Sequence, residues 1–158
     1  MSLNKMMNEF NELYSVEPIE FTMDNINQTI DLIGDELTEA VEETVAVGSW
    51  NDLPIEEVNL HNLAKELTDI LYIASQRMLT HGMDVDALLA EVHRSNMSKQ
   101  VPIDQSVTEL TLAKERYPEA IYSLVSGDLG VLTDKATGKV IKPSCYSAAV
   151  ITDEMVGL

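Results

Sequence analysis

Apolar side chains recur every three or four positions through most of the N-terminal two thirds of the chain, which is the spacing of one face of an α-helix. The run Leu3–Tyr14 is the first example, with leucine, methionine, phenylalanine and tyrosine side chains at helical spacing. Pro18 disfavours helical conformation in the residue before it, so this helix is expected to end before Pro18. A methionine-rich stripe of this kind is typical of a hydrophobic core or a subunit interface.

Two longer helices are predicted next. The second helix begins at a cap provided by Thr22 or Asp24 and runs to about Val47. The third helix runs from about 56–59 to a C-cap at Gly82. Apolar residues cover much of the circumference of the third helix, which predicts a central position in a helical bundle. The positions expected to face the core are Ile26, Ile30, Ile33, Leu37, Ala40 and Val41 in the second helix and Leu60, Leu63, Ala64, Leu67, Ile70, Leu71, Ala74 and Met78 in the third.

The helical pattern continues in shorter pieces and then stops. A fourth helix is predicted from Val85 to about Ser95, and a fifth over about 104–117. Beyond Pro118 the helical period is lost, and the turn residues Asp134–Gly138 between two apolar pairs predict a short hairpin or an extended arm. The predicted fold is therefore all-α, a bundle of four to five helices with this C-terminal arm.

The length and composition predict how the chain is organised. At 158 residues, 45% of them hydrophobic, the chain is expected to form a single domain over residues 1–158. The helical core would occupy about 20–100, an insertion about 102–136, and the C-terminal arm about 137–158. The sequence contains no evident internal repeat or low-complexity segment.

The net charge of −17, from 27 acidic and 10 basic side chains, narrows the functions that fit the sequence. Nucleic acids and anionic membranes are bound by basic surfaces, so the composition argues against both as partners. The charge fits a protein that recruits divalent cations. An acidic surface that only keeps the protein dispersed is the alternative.

Cysteine usage and hydropathy indicate the compartment. Cys145 is the only cysteine, so no intrachain disulfide can form and a reducing compartment is expected. The N-terminal sequence is too polar for a signal peptide, and no apolar run approaches about 18 residues. A soluble, cytoplasmic protein without a membrane segment is therefore expected.

Two acidic pairs stand out from the helical pattern. Glu36 and Glu39 lie three residues apart in the second predicted helix, and Glu66 and Asp69 have the same spacing in the third. Residues three apart are neighbours on one face of a helix, so antiparallel packing of the two helices would gather all four carboxylates around one space. Hard oxygen ligands without cysteine or histidine suit Mg²⁺ or Mn²⁺, and a metal held there would bind a polyphosphate substrate. For either helix alone, a solvated acidic face is the alternative.

The spacing of these two acidic pairs, with 26 residues between them, resembles the signature of the all-α nucleoside triphosphate pyrophosphohydrolases. This superfamily includes the MazG-like proteins, the dimeric dUTPases and the phosphoribosyl-ATP pyrophosphohydrolases. The runs VHRSNMSK at 92–99 and GKVIKPSCY at 138–146 are similar to the MazG-like and phosphoribosyl-ATP-pyrophosphohydrolase-like branch. The resemblance covers about 24–99 and then the short arm.

The resemblance implies a role for each matching residue. The two acidic pairs would hold Mg²⁺, or Mn²⁺ in its place. Asn96 and Lys99 would contact the substrate, and Lys139 and Lys142 would add positive charge over its phosphates unless they are solvated lysines of the hairpin. Some relatives carry a glutamate just before the first metal ligand that orients or deprotonates the attacking water. Asp35 stands at that position, one methylene shorter, as the candidate base.

The activity that the resemblance implies is Mg²⁺-dependent attack of water at the α-phosphorus of a nucleoside triphosphate, which releases a monophosphate and pyrophosphate. The expected substrate is a deoxynucleotide such as dUTP, or a damaged or otherwise non-standard nucleotide. The expected assembly is a homodimer or a dimer of dimers. Trp50, the only tryptophan, is a candidate for stacking on the base, with a packing anchor as the alternative. Two other functions stay open: hydrolysis of phosphoribosyl-ATP, and a non-catalytic metal-binding helical adaptor.

Overall fold

The computed structural model of the chain describes residues 2–43 and 59–158. The chain divides into two compact units. The N-terminal unit comprises Met1–Leu88 together with Thr152–Leu158, and the C-terminal unit comprises Leu89–Ile151. The single domain expected over the whole chain stays a prediction.

Helices form most of the described part of the N-terminal unit. They are α1 (Leu3–Tyr14), α2 (Met23–Glu42), α3 (Leu60–Thr80) and the beginning of α4 (Val85–Met97). Helix α1 has the bounds that its apolar spacing predicts. Thr22 rather than Asp24 caps α2, since its side chain accepts a hydrogen bond from the backbone N–H of Asn25 at 3.2 Å. No helix within the two described ranges is long and apolar enough to cross a membrane.

The two ends of α3 agree with the prediction where they are described. Asn59 caps α3, because its side chain accepts a hydrogen bond from the backbone N–H of Asn62 at 3.2 Å. Gly82 follows the helix with a φ of +84°, a left-handed conformation that glycine adopts without strain. The predicted end of the second helix near Val47 and the predicted start of the third at 56–58 lie outside the described residues.

Helices α2 and α3 pack antiparallel, and polar contacts at two levels define their register. Glu43, just after α2, accepts a hydrogen bond from the side chain of Asn62 at 3.1 Å. Toward the other end, the guanidinium of Arg77 donates to the hydroxyl of Thr29 at 3.0 Å. Both contacts belong to the same antiparallel register, which brings the two acidic pairs opposite each other near the middle of the helices.

Several apolar positions that were expected in the core are exposed in the N-terminal unit. Leu37 of α2 and Leu67 of α3 are each 54% exposed, and Leu71 is 53% exposed. Ile30 and Leu60 are exposed to a similar extent. The prediction that these side chains face the core is wrong for the single chain. The reason is that α3 packs chiefly against α1 and α2, which leaves part of its circumference without a neighbour among the described residues.

Polar contacts connect the beginning of α1 to the beginning of α4 within the N-terminal unit. The side-chain amide of Asn4 donates to the carboxylate of Asp84 at 2.8 Å, and its oxygen accepts the backbone N–H of Val85 at 3.0 Å. Asp84 also caps α4 by accepting the backbone N–H of Ala87 at 3.0 Å. The hydrogen bond from Ala87, followed by that from Asn4, lowers the pKa of Asp84 below its ordinary value.

The C-terminal unit contains a small antiparallel sheet, which the all-α prediction did not include. After the end of α4, its elements are β1 (Gln100–Pro102), a 3₁₀ turn (Ile103–Gln105), α5 (Ser106–Arg116), β2 (Ala120–Ser126) and β3 (Leu129–Asp134). The strand order is β1–β3–β2, and both strand pairs are antiparallel. The five predicted helices are present, so the chain is mostly helical with a three-stranded sheet in its described C-terminal region.

The sheet could not be predicted because its strands carry little alternation of apolar and polar side chains. Strand β1 is three residues long and ends in proline. Strand β2 buries Ala120 and leaves most of its other side chains exposed. The side chains that form the core of the unit come from five separate segments, and they are Val101, Ala113, Ala120, Leu132 and Ile141.

The predicted turn at Asp134–Gly138 is confirmed. The carboxylate of Asp134 accepts a hydrogen bond from the hydroxyl of Thr137 at 2.6 Å. The backbone carbonyl of Asp134 accepts a hydrogen bond from the backbone N–H of Gly138 at 2.8 Å. Beyond the turn, the N–H of Ile141 donates to the carbonyl of Leu132 at 2.8 Å. The chain therefore returns alongside β3 as the extended arm that the sequence predicts.

Candidate functional site

Three carboxylates from the two antiparallel helices converge in the N-terminal unit. Glu36 and Glu39 lie on neighbouring turns of α2, and Glu66 lies opposite them on α3. One carboxylate oxygen of each lies within 4.8 Å of the other two. A set of hard oxygen donors with this spacing could hold a divalent cation.

A lysine ammonium already lies against this acidic cluster. Glu66 is 6% exposed, and a buried carboxylate is costly unless a cation or a hydrogen-bond donor accompanies it. The ammonium of Lys65 lies 2.9 Å from Oε2 and 3.0 Å from Oε1 of Glu66. It also lies 3.0 Å from Oδ2 of Asp69. The cluster therefore draws positive charge from the chain itself.

The environment of the cluster shifts the pKa values of Glu36 and of Lys65. Desolvation raises the pKa of Glu36 above its ordinary value. The negative charges of Glu39, Asp69 and Glu66 raise that pKa further, and the nearby lysine opposes them. Hydrogen bonds to Glu66 and then Asp69 raise the pKa of Lys65. Four crowded carboxylates with one ammonium leave an excess of negative charge, and a divalent cation fits this donor set.

The other predicted residues of the acidic site lie at its edge or beyond it. Asp69 contacts the ammonium of Lys65 but is not one of the three convergent carboxylates. Asp35 is exposed and precedes Glu36 by one residue, so its side chain points about 100° around α2 from that of Glu36. Trp50 lies outside the described residues, and its stacking role stays a prediction.

The predicted substrate residues belong to the C-terminal unit, and they are Asn96, Lys99, Lys139 and Lys142. The ammonium of Lys99 donates to the side-chain oxygen of Asn96 at 2.7 Å. The three lysines line a cavity of about 670 Å³. Arg116, at the end of α5, lines the same cavity, although no feature of the sequence singled it out.

Residues 3–96 match the sequence model of the family described as phosphoribosyl-ATP pyrophosphohydrolase. The chain belongs to this family. The matched region covers more than half of the chain, includes both acidic pairs, and places the chain in the all-α NTP pyrophosphohydrolase superfamily. The resemblance seen in the sequence is therefore confirmed. No curated protein matches the chain.

Two charged residues near these groups, Lys65 and Glu109, were not predicted from the sequence, for different reasons. Lys65 directly precedes Glu66 and stands four residues before Asp69, a spacing at which helical side chains form ion pairs. That signal could have been found. The buried carboxylate of Glu109 accepts the backbone N–H of Ser144 at 2.8 Å, and these two residues are 35 positions apart. No local pattern marks such a contact.

Proposed function

We propose that the protein is a metal-dependent pyrophosphohydrolase that cleaves the bond between the α- and β-phosphates of a nucleoside triphosphate. The observation that carries this proposal is the convergence of Glu36, Glu39 and Glu66 from two antiparallel helices. Asp69 would complete the set of ligands from its place beside the same lysine. Membership of a family described as a pyrophosphohydrolase supports the same class of reaction.

Mg²⁺ is the proposed cofactor, and Mn²⁺ could replace it. The donors are carboxylate oxygens without cysteine or histidine, which suits a hard cation. When bound, the metal would neutralise charge on the phosphates and lower the pKa of a bound water. Because a metal and the Lys65 ammonium need the same oxygens of Glu66, metal binding would displace that ammonium.

In the proposed reaction, a water oxygen attacks the α-phosphorus, and the bond from that phosphorus to the oxygen bridging the β-phosphorus breaks. The products are a nucleoside monophosphate and pyrophosphate, and the proton of the water passes to a base. The family resemblance favours Asp35 as this base. Glu36 is the alternative, because its carboxylate belongs to the acidic cluster and lies directly beside Asp35 in the chain.

Four residues of the C-terminal unit are proposed to contact the substrate. Asn96 and Lys99 hydrogen bond to each other, which would orient the ammonium of Lys99 toward a phosphate. Lys139 and Lys142 would add charge, since an ammonium binds phosphate as a compact point charge. Trp50 is proposed to stack on the base. A deoxynucleotide such as dUTP, or a non-standard nucleotide, is the proposed substrate.

The proposed assembly is a homodimer or a dimer of dimers. Leu37, Leu67 and Leu71 lie on the paired helices of the N-terminal unit, and more than half of each side chain is exposed. Burying apolar surface is worth about 25 cal/mol per Å². A second copy that covers this apolar face would recover that free energy, which supports the dimer.

Hydrolysis of phosphoribosyl-ATP is the second candidate, because the description of the matching family names this substrate. The bond that breaks would be of the same kind, and the acidic cluster would have the same role. The two candidates differ in the group attached to the triphosphate, so a substrate panel separates them.

The test is product analysis after incubation with dUTP, the other dNTPs, the NTPs and phosphoribosyl-ATP, each with Mg²⁺ and with EDTA. Metal-dependent release of a monophosphate and pyrophosphate is expected, with a deoxynucleotide turned over fastest. Preference for phosphoribosyl-ATP would favour the second candidate. Release of orthophosphate and a diphosphate would mean attack at the γ-phosphorus and would contradict the proposal. No turnover of any substrate would leave a non-catalytic metal-binding adaptor.

A further inference from the structure

The cavity of the C-terminal unit holds a large share of the positive charge of the protein. It is lined by four of the ten basic residues in the chain: Lys99, Arg116, Lys139 and Lys142. By sequence, the C-terminal unit has seven basic and seven acidic residues, whereas the N-terminal unit has three and twenty. The entire net charge of −17 therefore belongs to the N-terminal unit, and the cavity lies in the formally neutral one.

The four cations of the cavity have no carboxylate partner in the described ranges of the chain, where none forms an ion pair within 4.0 Å. Arg94 of the same unit, by contrast, pairs with Glu91 at 2.8 Å. Glu109 is the acidic residue that lines the cavity, and it is 5% exposed. Its carboxylate accepts hydrogen bonds from the backbone N–H of Ser144, at 2.8 Å, and from the Ser144 hydroxyl. Lys99 donates to Asn96, and the ammonium of Lys142 lies 4.5 Å from the centroid of the Tyr146 ring, but both partners are uncharged. No carboxylate among the described residues therefore neutralises the four cations, and an anionic ligand could do so.

The inner wall of the cavity is apolar. Ala113, Leu132 and Ile141 line it and are buried in the core of the unit. Tyr117 also lines it, and the guanidinium of Arg116 lies 5.5 Å from the centroid of the Tyr117 ring. A guanidinium beside an aromatic ring can offer its N–H donors to phosphate in pairs, which an ammonium cannot. A ligand with phosphates and an apolar or aromatic body would satisfy both parts of the cavity.

We propose that this cavity binds an organic polyphosphate, with its phosphates on the four cationic side chains and its body against Tyr117 and the apolar wall. Its volume of about 670 Å³ suits a ligand of the size of a nucleotide. The site lies beyond the matched residues 3–96 and is built in part by α5. It rests on the proposed function for the choice of nucleoside polyphosphates as ligands, and it shares Lys99, Lys139 and Lys142 with the substrate contacts proposed there; Arg116, Tyr117 and the apolar wall are the parts it adds. Binding in the cavity requires neither a metal nor the carboxylates of the N-terminal unit.

The test is calorimetric titration of the full chain with ATP and with tripolyphosphate, in EDTA and at physiological salt. Saturable binding of both is expected, with ATP bound more tightly because tripolyphosphate cannot use the apolar wall. Arg116→Gln and Lys139→Gln should each weaken the binding of ATP by about tenfold or more, since each removes a charge-assisted hydrogen bond. Melting temperatures of the variants would show that they remain folded.

Matched control variants distinguish binding in the cavity from non-specific electrostatic attraction of the ligand to the protein. Lys114→Gln removes a positive charge from α5, two residues before Arg116. Lys135→Gln removes a positive charge four residues before Lys139. Both lysines are exposed, and neither lines the cavity. Binding should be unchanged in both controls and in Glu66→Gln. Equal weakening in the controls would mean that net charge alone attracts the ligand, which would overturn the proposal. Loss in Glu66→Gln, or no binding in EDTA, would overturn it as well.

Turnover with Mg²⁺ tests the proposed function separately from this cavity. Hydrolysis by a chain that binds no polyphosphate in EDTA would leave the acidic site as proposed and remove the cavity site. Metal-free binding that the Arg116 and Lys139 variants lose, without hydrolysis of any substrate, would establish the cavity site and contradict the proposed reaction.

Discussion

Glu66 is the buried member of the acidic cluster, so water solvates its carboxylate less than those of Glu36 and Glu39. The change of Glu66 to glutamine keeps the size of the side chain and removes the charge that a metal would need. We expect metal-dependent hydrolysis to fall by about 10²-fold or more, a usual cost of removing one group that stabilises a transition state. The fold should survive, as circular dichroism would show.

The control for Glu66→Gln is Glu42→Gln, which removes the same charge from an exposed position of α2. Its turnover should match that of the unmodified chain. Wild-type turnover in Glu66→Gln itself would remove Glu66 from the site. Asp35→Asn extends the series to the proposed base, and full activity in that variant would show that Asp35 is not essential.

Lys65 supplies positive charge to the acidic cluster when no metal does so. In EDTA, Lys65→Gln should lower the melting temperature, because Glu66 and Asp69 lose the ammonium that lies about 3 Å from each. Excess Mg²⁺ should remove most of this difference, since the metal would take the place of the ammonium. Lys5→Gln is the control, because Lys5 pairs with an exposed glutamate at 3.9 Å. If the melting temperature of Lys65→Gln is lowered equally with and without Mg²⁺, the proposed competition between the Lys65 ammonium and the metal is contradicted.

At the scale of single elements, alanine substitutions at two glycines distinguish the effect of crowded packing in a strand from the effect of helix propensity. A methyl group on Gly130 of β3 would collide with the ring of Tyr122 and lie 2.5 Å from the carbonyl oxygen of Ser123. We expect Gly130→Ala to lower the free energy of unfolding by about 1–3 kcal/mol, because β3 is the central strand and cannot move away from β2. Urea denaturation would measure the change.

Gly34 in α2 is the matched control for this strand glycine. Nothing lies within 4 Å of a methyl group added there. Gly34→Ala should raise the free energy of unfolding by about 0.5–1 kcal/mol, which is the difference in helix propensity between alanine and glycine. A loss of stability in Gly34→Ala as large as that in Gly130→Ala would contradict the role of strand packing.

The arm after β3 is held to α4 by a carboxylate that should make stability depend on pH. Glu91 accepts hydrogen bonds from the guanidinium of Arg94 and from the backbone N–H of Val150, each at 2.8 Å. The hydrogen bond from Arg94, then that from Val150, lowers the pKa of Glu91 from 4.5 to about 2. Because the folded state favours the charged form, the contribution of Glu91 is present above about pH 4.5 and is lost as the pH falls toward 2.

Glu91→Gln tests this dependence. The urea midpoint of the unmodified chain should fall more between pH 6 and pH 3 than that of the variant. Glu115→Gln, on the exposed side of α5, should follow the unmodified chain. Parallel midpoints for Glu91→Gln and the unmodified chain over this range would show that Glu91 contributes no pH-dependent stability.

At the scale of the whole molecule, the exposed apolar face of α2 and α3 predicts self-association. Light scattering should give twice the mass of one chain, or four times for a dimer of dimers. Leu71→Glu should produce the single chain, because it puts a charge into the surface that the second copy covers. Val107→Glu is the control, since Val107 is 77% exposed on α5 of the other unit. A single-chain mass for the unmodified protein would contradict the dimer.

Where the forces are local, residues near in sequence were enough for prediction. The bounds of α1, a cap of α2 at Thr22 or Asp24, and the glycine end of α3 follow from apolar spacing and from side chains that bond to backbone within four residues. The i, i+3 spacing of the acidic pairs likewise predicted which carboxylates share a helix face. The family match over residues 3–96 agrees with that pattern.

The tertiary structure decided what depends on segments distant in the chain. Strand β1 pairs with β3 about thirty residues later, and Glu109 finds Ser144 across 35 positions, contacts for which a local window has no signal. The exposure of Leu67 and Leu71 was likewise decided by which helices pack beside α3. By itself, the sequence determined the helices and the donors they carry, because helix formation and side-chain spacing are local. The sheet, the cationic cavity and the exposed apolar face required the structure, because chain folding alone brings those surfaces together or leaves them uncovered.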